Sequence, residues 1–134
     1  MITKKEVTQL SYDIVGCAIE VHKTLGPGLL ESIYEKCLIQ ELKLKGFNVK
    51  SQIVIPINYK GINLDANLKL DILVNDLVVI ELKAVEEIHP VFKAQLLSYM
   101  NLLKVPQGLL INFFTKNIKD STTPLVNEYF NMLP

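Results

Sequence analysis

The chain has 134 residues, a formal net charge of zero from 14 Lys plus Arg against 14 Asp plus Glu, 49% hydrophobic residues and a mean hydropathy of +0.27. That length predicts a single domain over residues 1–134 without room for a separate recognition module, and the neutral balance argues against a protein that grips nucleic acid by global charge. No apolar stretch approaches a membrane span and Met1-Ile-Thr-Lys-Lys-Glu6 runs straight into charge, so a cytoplasmic protein with no membrane partner is expected, its apolar surplus pointing to a homo-oligomer interface.

Thr3-x-x-Glu6 is a capping-box signature, and Val7, Leu10, Ile14, Cys17, Val21 and Leu25 recur at helical spacing until Gly26-Pro27-Gly28 stops the helix. A second helix is expected from about Leu29, with Leu30, Ile33, Tyr34, Cys37, Leu38 and Leu42 facing inward and Gly46 at its end. Residues 47–59 alternate as one strand with Pro56 at an edge or bulge, and Lys60-Gly61 turns the chain toward residues 62–64. Residues 68–74 and 77–84 read as a hairpin around Asn75-Asp76. Pro90 opens a helix that carries Gln95 and Tyr99 four apart on one face, with His89 at its start. Gly108 precedes a strand over residues 109–114. Beyond Asn117 the pattern is ambiguous: residues 121–124 are loop-like, and 125–130 fit either a strand or a short helix. Cys17 and Cys37 occupy apolar helical positions without metal-type spacing and read as reduced thiols. His22 reads as a helix C-terminal cap.

Register decides whether the central hairpin carries a site. A two-residue loop sets Asp71 opposite Ile80 and puts Glu81 and Lys83 on the other face. A three-residue loop, or a bulge, pairs Val74 with Val78, Ile72 with Ile80, Leu70 with Leu82 and Asp71 with Glu81. One face is then aliphatic, and the other carries Lys69, Asp71, Glu81 and Lys83 beside Leu73 and Val79. The cleaner segregation predicts the second register.

Two carboxylates and a lysine on one face suit phosphodiester hydrolysis. A hard cation such as Mg²⁺ or Mn²⁺ is held by one or two carboxylates, here Asp71 and Glu81, and Lys83 two residues on points the same way to steady the nucleophile or the developing charge. The competing reading is a solvated sheet face with a cross-strand ion pair. The apolar run over residues 77–80 weighs against it, because charges emerging from a buried strand are costly unless paired or metal-bound. Any basic surface must be local, and Lys69, Lys83 and Lys93, with Lys43, Lys45 and Lys50 elsewhere, are the candidates.

Asp71, the Glu81-Leu82-Lys83 triplet and Gln95-x-x-x-Tyr99, in that order, resemble the PD-(D/E)XK nuclease superfamily, and Gln95 to Tyr99 resembles the Q-x-x-x-Y motif of its RecB-type branch. Gly28-Leu-Leu-Glu31-Ser-Ile-Tyr34 is similar to the GxxExxY family of small prokaryotic proteins assigned to that superfamily. The resemblance implies an α/β fold, an α+β mixed sheet flanked by helices in a restriction-endonuclease-like core. It also implies that Glu31 is a further metal ligand or water-positioning acid, and that Gln95 and Tyr99 border the pocket. Lys69 stands where an arginine is expected, which keeps the charge and loses the guanidinium fork. The function implied is a metal-dependent nuclease acting on DNA; the alternatives are a non-catalytic module of the same fold for nucleic-acid binding or protein assembly, and an enzyme acting on another phosphate-bearing substrate.

Overall fold

The computed structural model describes residues 1–64 and 68–134. Helix α1 (Lys4–Leu25) starts with Thr3 and Glu6 each bonding the other's backbone N–H, so the capping box forms as expected. Helix α2 (Glu31–Leu44) follows the Gly-Pro-Gly turn. Strands β1 (Val49–Val54), β2 (Ile57–Tyr59), β3 (Ile62–Leu64), β4 (Lys69–Val74) and β5 (Val78–Lys83) come next. Helix α3 (Pro90–Leu103) leads to β6 (Gln107–Asn112), a short 3₁₀ turn, β7 (Thr122–Val126) and the short α4 (Glu128–Asn131).

Five strands form one sheet in the order β1-β4-β5-β6-β7, and β2 with β3 makes a separate ribbon. Only the β5–β6 pair is parallel among the described ladders, because α3 carries the chain across the sheet between them. This is the mixed sheet flanked by helices that the resemblance implies. Ile72, Val74, Val78, Ile80, Leu109 and Ile111 pack with α1 and with Tyr34, Leu38 and Leu42 of α2. Leu73, Val79 and Leu110, on the opposite face, pack against Leu96 and Met100 of α3. Gly108 makes the second layer tight, since a Cβ there would meet the Met100 sulfur at 2.6 Å and Leu96 Cγ at 3.0 Å.

Several boundaries differ from those read off the sequence. Helix α2 begins two residues later than Leu29, with Leu30 as its extended N-cap, so Leu30 and Ile33 are exposed at 73% and 39% rather than inward. The expected strand over 47–59 divides at Pro56, which has no N–H to continue a ladder. Strand β6 starts before Gly108 and ends at Asn112, short of residue 114. Residues 122–124, expected in a loop, belong to β7; Pro124 is tolerated because β7 is an edge strand. The ambiguous tail resolves into the end of that strand and α4, capped by the Asn127 side chain. His22 is not a cap: its Nε2 lies 2.7 Å from Thr115 O, tying α1 to the loop after β6, while Gly26 provides the helix end. His89 does cap α3, its Nδ1 accepting from Val91 N–H at 3.1 Å.

Candidate active site

The loop between β4 and β5 has three residues, with Asn75 and Asp76 both left-handed at φ 52° and 55° and Leu77 N–H donating to Val74 O at 2.9 Å. Asn and Asp adopt that conformation more readily than most residues. The turn therefore sets the odd register: Val74 pairs with Val78, Leu73 with Val79 and Ile72 with Ile80. Asp71 then falls opposite Glu81, as the face pattern predicts.

The backbone ladder between β4 and β5 ends at Ile72 and Ile80, so the expected Leu70–Leu82 pairing is not made. Side chains replace it. Asp71 N–H donates to Glu81 Oε1 at 3.0 Å, and Leu82 N–H donates to Asp71 Oδ2 at 2.9 Å. Each carboxylate takes the place of a carbonyl acceptor, so the two strands separate without orphaning their amides. Strand β5 stays in register with β6 through Glu81–Leu110, Leu82–Ile111 and Lys83–Asn112, which keeps the opening on the β4 side.

On the other side of β4, the β1–β4 ladder skips Gln52 and Asp71, which lie between the Ser51–Ile72 and Ile53–Leu70 pairs. Gln52 has φ 50° in the middle of a strand, a left-handed conformation that costs a non-glycine residue about 1–2 kcal/mol. Its Nε2 donates to Glu35 Oε1 at 2.7 Å and ties β1 to α2. The start of α2 is fixed separately. The Tyr34 ring stacks on Phe113 at 4.5 Å between centroids, and its hydroxyl donates to Gly26 O and accepts from Leu29 N–H. Tyr34 is fully buried and shapes the turn that delivers Glu31, a structural part rather than that of an acid catalyst.

A cleft of about 250 Å³ lies where these elements meet. It is lined by Glu31, Ser32 and Glu35 of α2, Gln52 of β1, Asp71 of β4, and Glu81, Leu82 and Lys83 of β5. The fold thus brings Glu31, Asp71, Glu81 and Lys83 together. Tyr99 borders the acids without lining the cleft: its phenol is held above the usual range by burial and by the charges of Glu81 and Asp71. Gln95 is exposed and does not line it. A larger cavity of about 710 Å³ between α1 and α2, lined by Tyr12, Asp13 and Cys17 among others, contains none of these residues.

The acids perturb one another. Glu81 is pushed up to about 8, first by burial and then by the Asp71 charge, with the Asp71 N–H and Lys83 pulling back. Burial also raises Glu31, where Lys83 opposes and Asp71 reinforces the shift, and Glu35, where the Asp71 charge adds and the Gln52 hydrogen bond subtracts. Among the described residues Lys83 makes no ion pair with a carboxylate; its Nζ lies 4.3 Å from the centroid of the Phe92 ring. The only ion pair within 4.0 Å among the described residues is the exposed Lys50–Asp76 contact.

The donor set suits a hard cation. Asp71 and Glu81 offer carboxylate oxygens from adjacent strands with no thiol or imidazole between them, and Mg²⁺ is satisfied by one or two carboxylates plus water and substrate oxygens. Among the described residues no three His, Cys, Asp or Glu side chains are grouped closely enough to hold a metal ion by themselves. Glu31 lines the same cleft as Asp71 and Glu81 but does not form a three-acid cluster with them. Glu35, Gln52 and Phe92 were not foreseen from the sequence. Glu35 had a signal, lying one helical turn from Glu31 on the same face; Gln52 had none, since glutamine does not advertise a left-handed strand position.

A family model of the PD-(D/E)XK nuclease superfamily matches residues 8–123, a span that runs from α1 into β7 and includes each of these side chains. Searches of the curated proteins and of the solved structures find no match. The match takes in most of the chain, and the sheet opening between β4 and β5 lies inside it: this chain belongs to the PD-(D/E)XK nuclease superfamily.

Proposed function

We propose that this protein is a Mg²⁺- or Mn²⁺-dependent nuclease that hydrolyses phosphodiester bonds in DNA, acting as one cytoplasmic domain over residues 1–134. The observation that carries the reading is the Asp71–Glu81 pair at the parting of β4 and β5, with Lys83 on the same face and in the same cleft. Asp71 and Glu81 would hold the cation, which supplies an activated water and neutralises phosphate charge. Lys83 brings an ammonium whose donors orient the nucleophile and offset charge that builds on the phosphate. Glu31, lining the same cleft and with a raised proton affinity, would steady that water and accept its proton. Tyr99 keeps its proton and serves as a hydrogen-bond donor beside the acids. Gln95, one turn earlier on α3 and exposed, would meet substrate from outside the cleft, as the glutamine of a Q-x-x-x-Y helix would. Gly28, Glu31 and Tyr34 support a closer kinship with the GxxExxY proteins: the tyrosine holds the turn and the turn presents the glutamate.

Titration calorimetry with Mn²⁺ separates this reading from a non-catalytic module. A nuclease binds Mn²⁺ with wild-type protein and loses it in Asp71→Ala, and cleaves at least one of linear, nicked or single-stranded DNA with that metal. A wild-type protein that binds no Mn²⁺ would overturn the nuclease reading and favour the non-catalytic module.

A further inference from the structure

A lysine stem has several rotatable bonds, and its ammonium serves a reaction only if something narrows that freedom. The backbone of Lys83 is already fixed. Phe113 N–H donates to Lys83 O at 2.7 Å, and Asn112, its partner across the β5–β6 ladder, clasps the chain just beyond it. The Asn112 side chain accepts from Val85 N–H at 3.1 Å and donates to Val85 O at 2.8 Å. What remains to be fixed is the side chain.

Phe92 does this from the first turn of α3. The Lys83 Nζ lies 4.3 Å from its ring centroid, well within the roughly 6 Å over which a ring face attracts a cation. Phe92 is itself restrained: its backbone N–H donates to His89 O at 2.9 Å, and its side chain packs, partly buried, against the core layer between α3 and the sheet. The choice of partner has a chemical consequence. A lysine paired directly with Asp71 or Glu81 would cover the oxygens that a divalent cation needs. A ring face holds the same charge near the cleft without competing for those oxygens.

We propose that Phe92 is the positioning residue for Lys83, seating its ammonium at the rim of the cleft and off the two carboxylates. Its catalytic consequence rests on the nuclease reading; the contact does not. The test uses the whole chain with ¹³C-labelled lysine, the Lys83 signal being assigned by its loss in Lys83→Ala. In the wild type the ring current shifts the Lys83 ε-methylene resonances upfield of the lysines that face no ring; Lys60, 5.3 Å from the Tyr59 ring centroid, is told apart because its signal is unaffected by Lys83→Ala. Phe92→Leu, which keeps an apolar side chain under α3, returns them to the common position, and Phe92→Tyr retains the shift. In Mn²⁺-dependent DNA cleavage Phe92→Leu lowers kcat about tenfold with KM held, and Phe92→Tyr recovers most of the loss. An unshifted Lys83 signal in the wild type overturns the contact. A shift abolished in Phe92→Leu with kcat unchanged overturns the positioning role. If the wild type cuts no DNA, the nuclease reading falls and the resonance alone decides whether Phe92 seats the lysine.

Discussion

The proton on Glu81 is the most consequential detail at the residue scale. With its affinity pushed up to about 8, Glu81 is largely protonated at neutral pH, and a cation that binds through it must release that proton. Mn²⁺ affinity measured by calorimetry should therefore rise by up to about tenfold per pH unit between pH 6 and 8 and flatten above that. The same shift bears on stability with a definite sign. A carboxyl raised above its unfolded value stabilises the fold fully below the ordinary carboxyl range, and that contribution is lost as pH rises through about 8. Metal-free Glu81→Gln, which stays neutral throughout, should melt several degrees above the wild type at pH 9, with a smaller gap at pH 5. Equal melting temperatures at both pH values would contradict the burial of a proton at this position. Asp71, Glu81 and Lys83 were legible in the sequence because their alternation along two strands assigns them to one face. Gln52 and Phe92 were not, since one depends on an unusual backbone angle and the other on how a helix settles over the sheet.

At the scale of elements, the turn between β4 and β5 determines the register, and the register determines the site. The three-residue loop was readable because it alone separates an aliphatic face from a charged one. The early end of the ladder was not readable, because it depends on carboxylates displacing carbonyls as acceptors. Helix α3 contributes through its contact with β6 at Gly108. Ala at this position would press on Met100 and Leu96, at an overpacking cost of about 1–3 kcal/mol, which outweighs the about 0.4–1 kcal/mol gained by stiffening the unfolded chain. Urea denaturation of Gly108→Ala should show a lower midpoint at an unchanged slope; a midpoint at or above the wild type would mean that the layer is looser than described. Tyr34 acts on the opposite layer. Tyr34→Phe keeps the stack on Phe113 and deletes two hydrogen bonds to the Gly26–Leu29 turn, so it should cost about 1–3 kcal/mol in the same experiment. Cleavage should fall as well, because Glu31 follows that turn.

The whole molecule carries a formal net charge of zero, so attraction to a polyanion must come from a few lysines near the cleft. Two or three phosphate contacts lower DNA affinity about 10- to 40-fold between 50 and 200 mM salt, against 10³ or more for a basic protein making six to ten. Fluorescence anisotropy with DNA should find the shallower dependence; a steep one would reveal a basic surface that the overall charge conceals. Fold class was legible through a resemblance: Asp71, the Glu81-Leu82-Lys83 triplet and Gln95-x-x-x-Tyr99, in that order, implied a mixed sheet flanked by helices, whereas the parallel pairing of β5 with β6 was not read from the sequence. Quaternary arrangement has no such signature in a single chain. The central claim is that Asp71 and Glu81 form a working metal-dependent site for phosphodiester cleavage, and the rate at which purified protein cuts end-labelled linear DNA in Mn²⁺ tests it most directly. The account predicts cleavage by the wild type that falls by at least about 100-fold in both Asp71→Ala and Lys83→Ala, the scale of losing a preorganised electrostatic contact. Cleavage that persists undiminished in Asp71→Ala would contradict it.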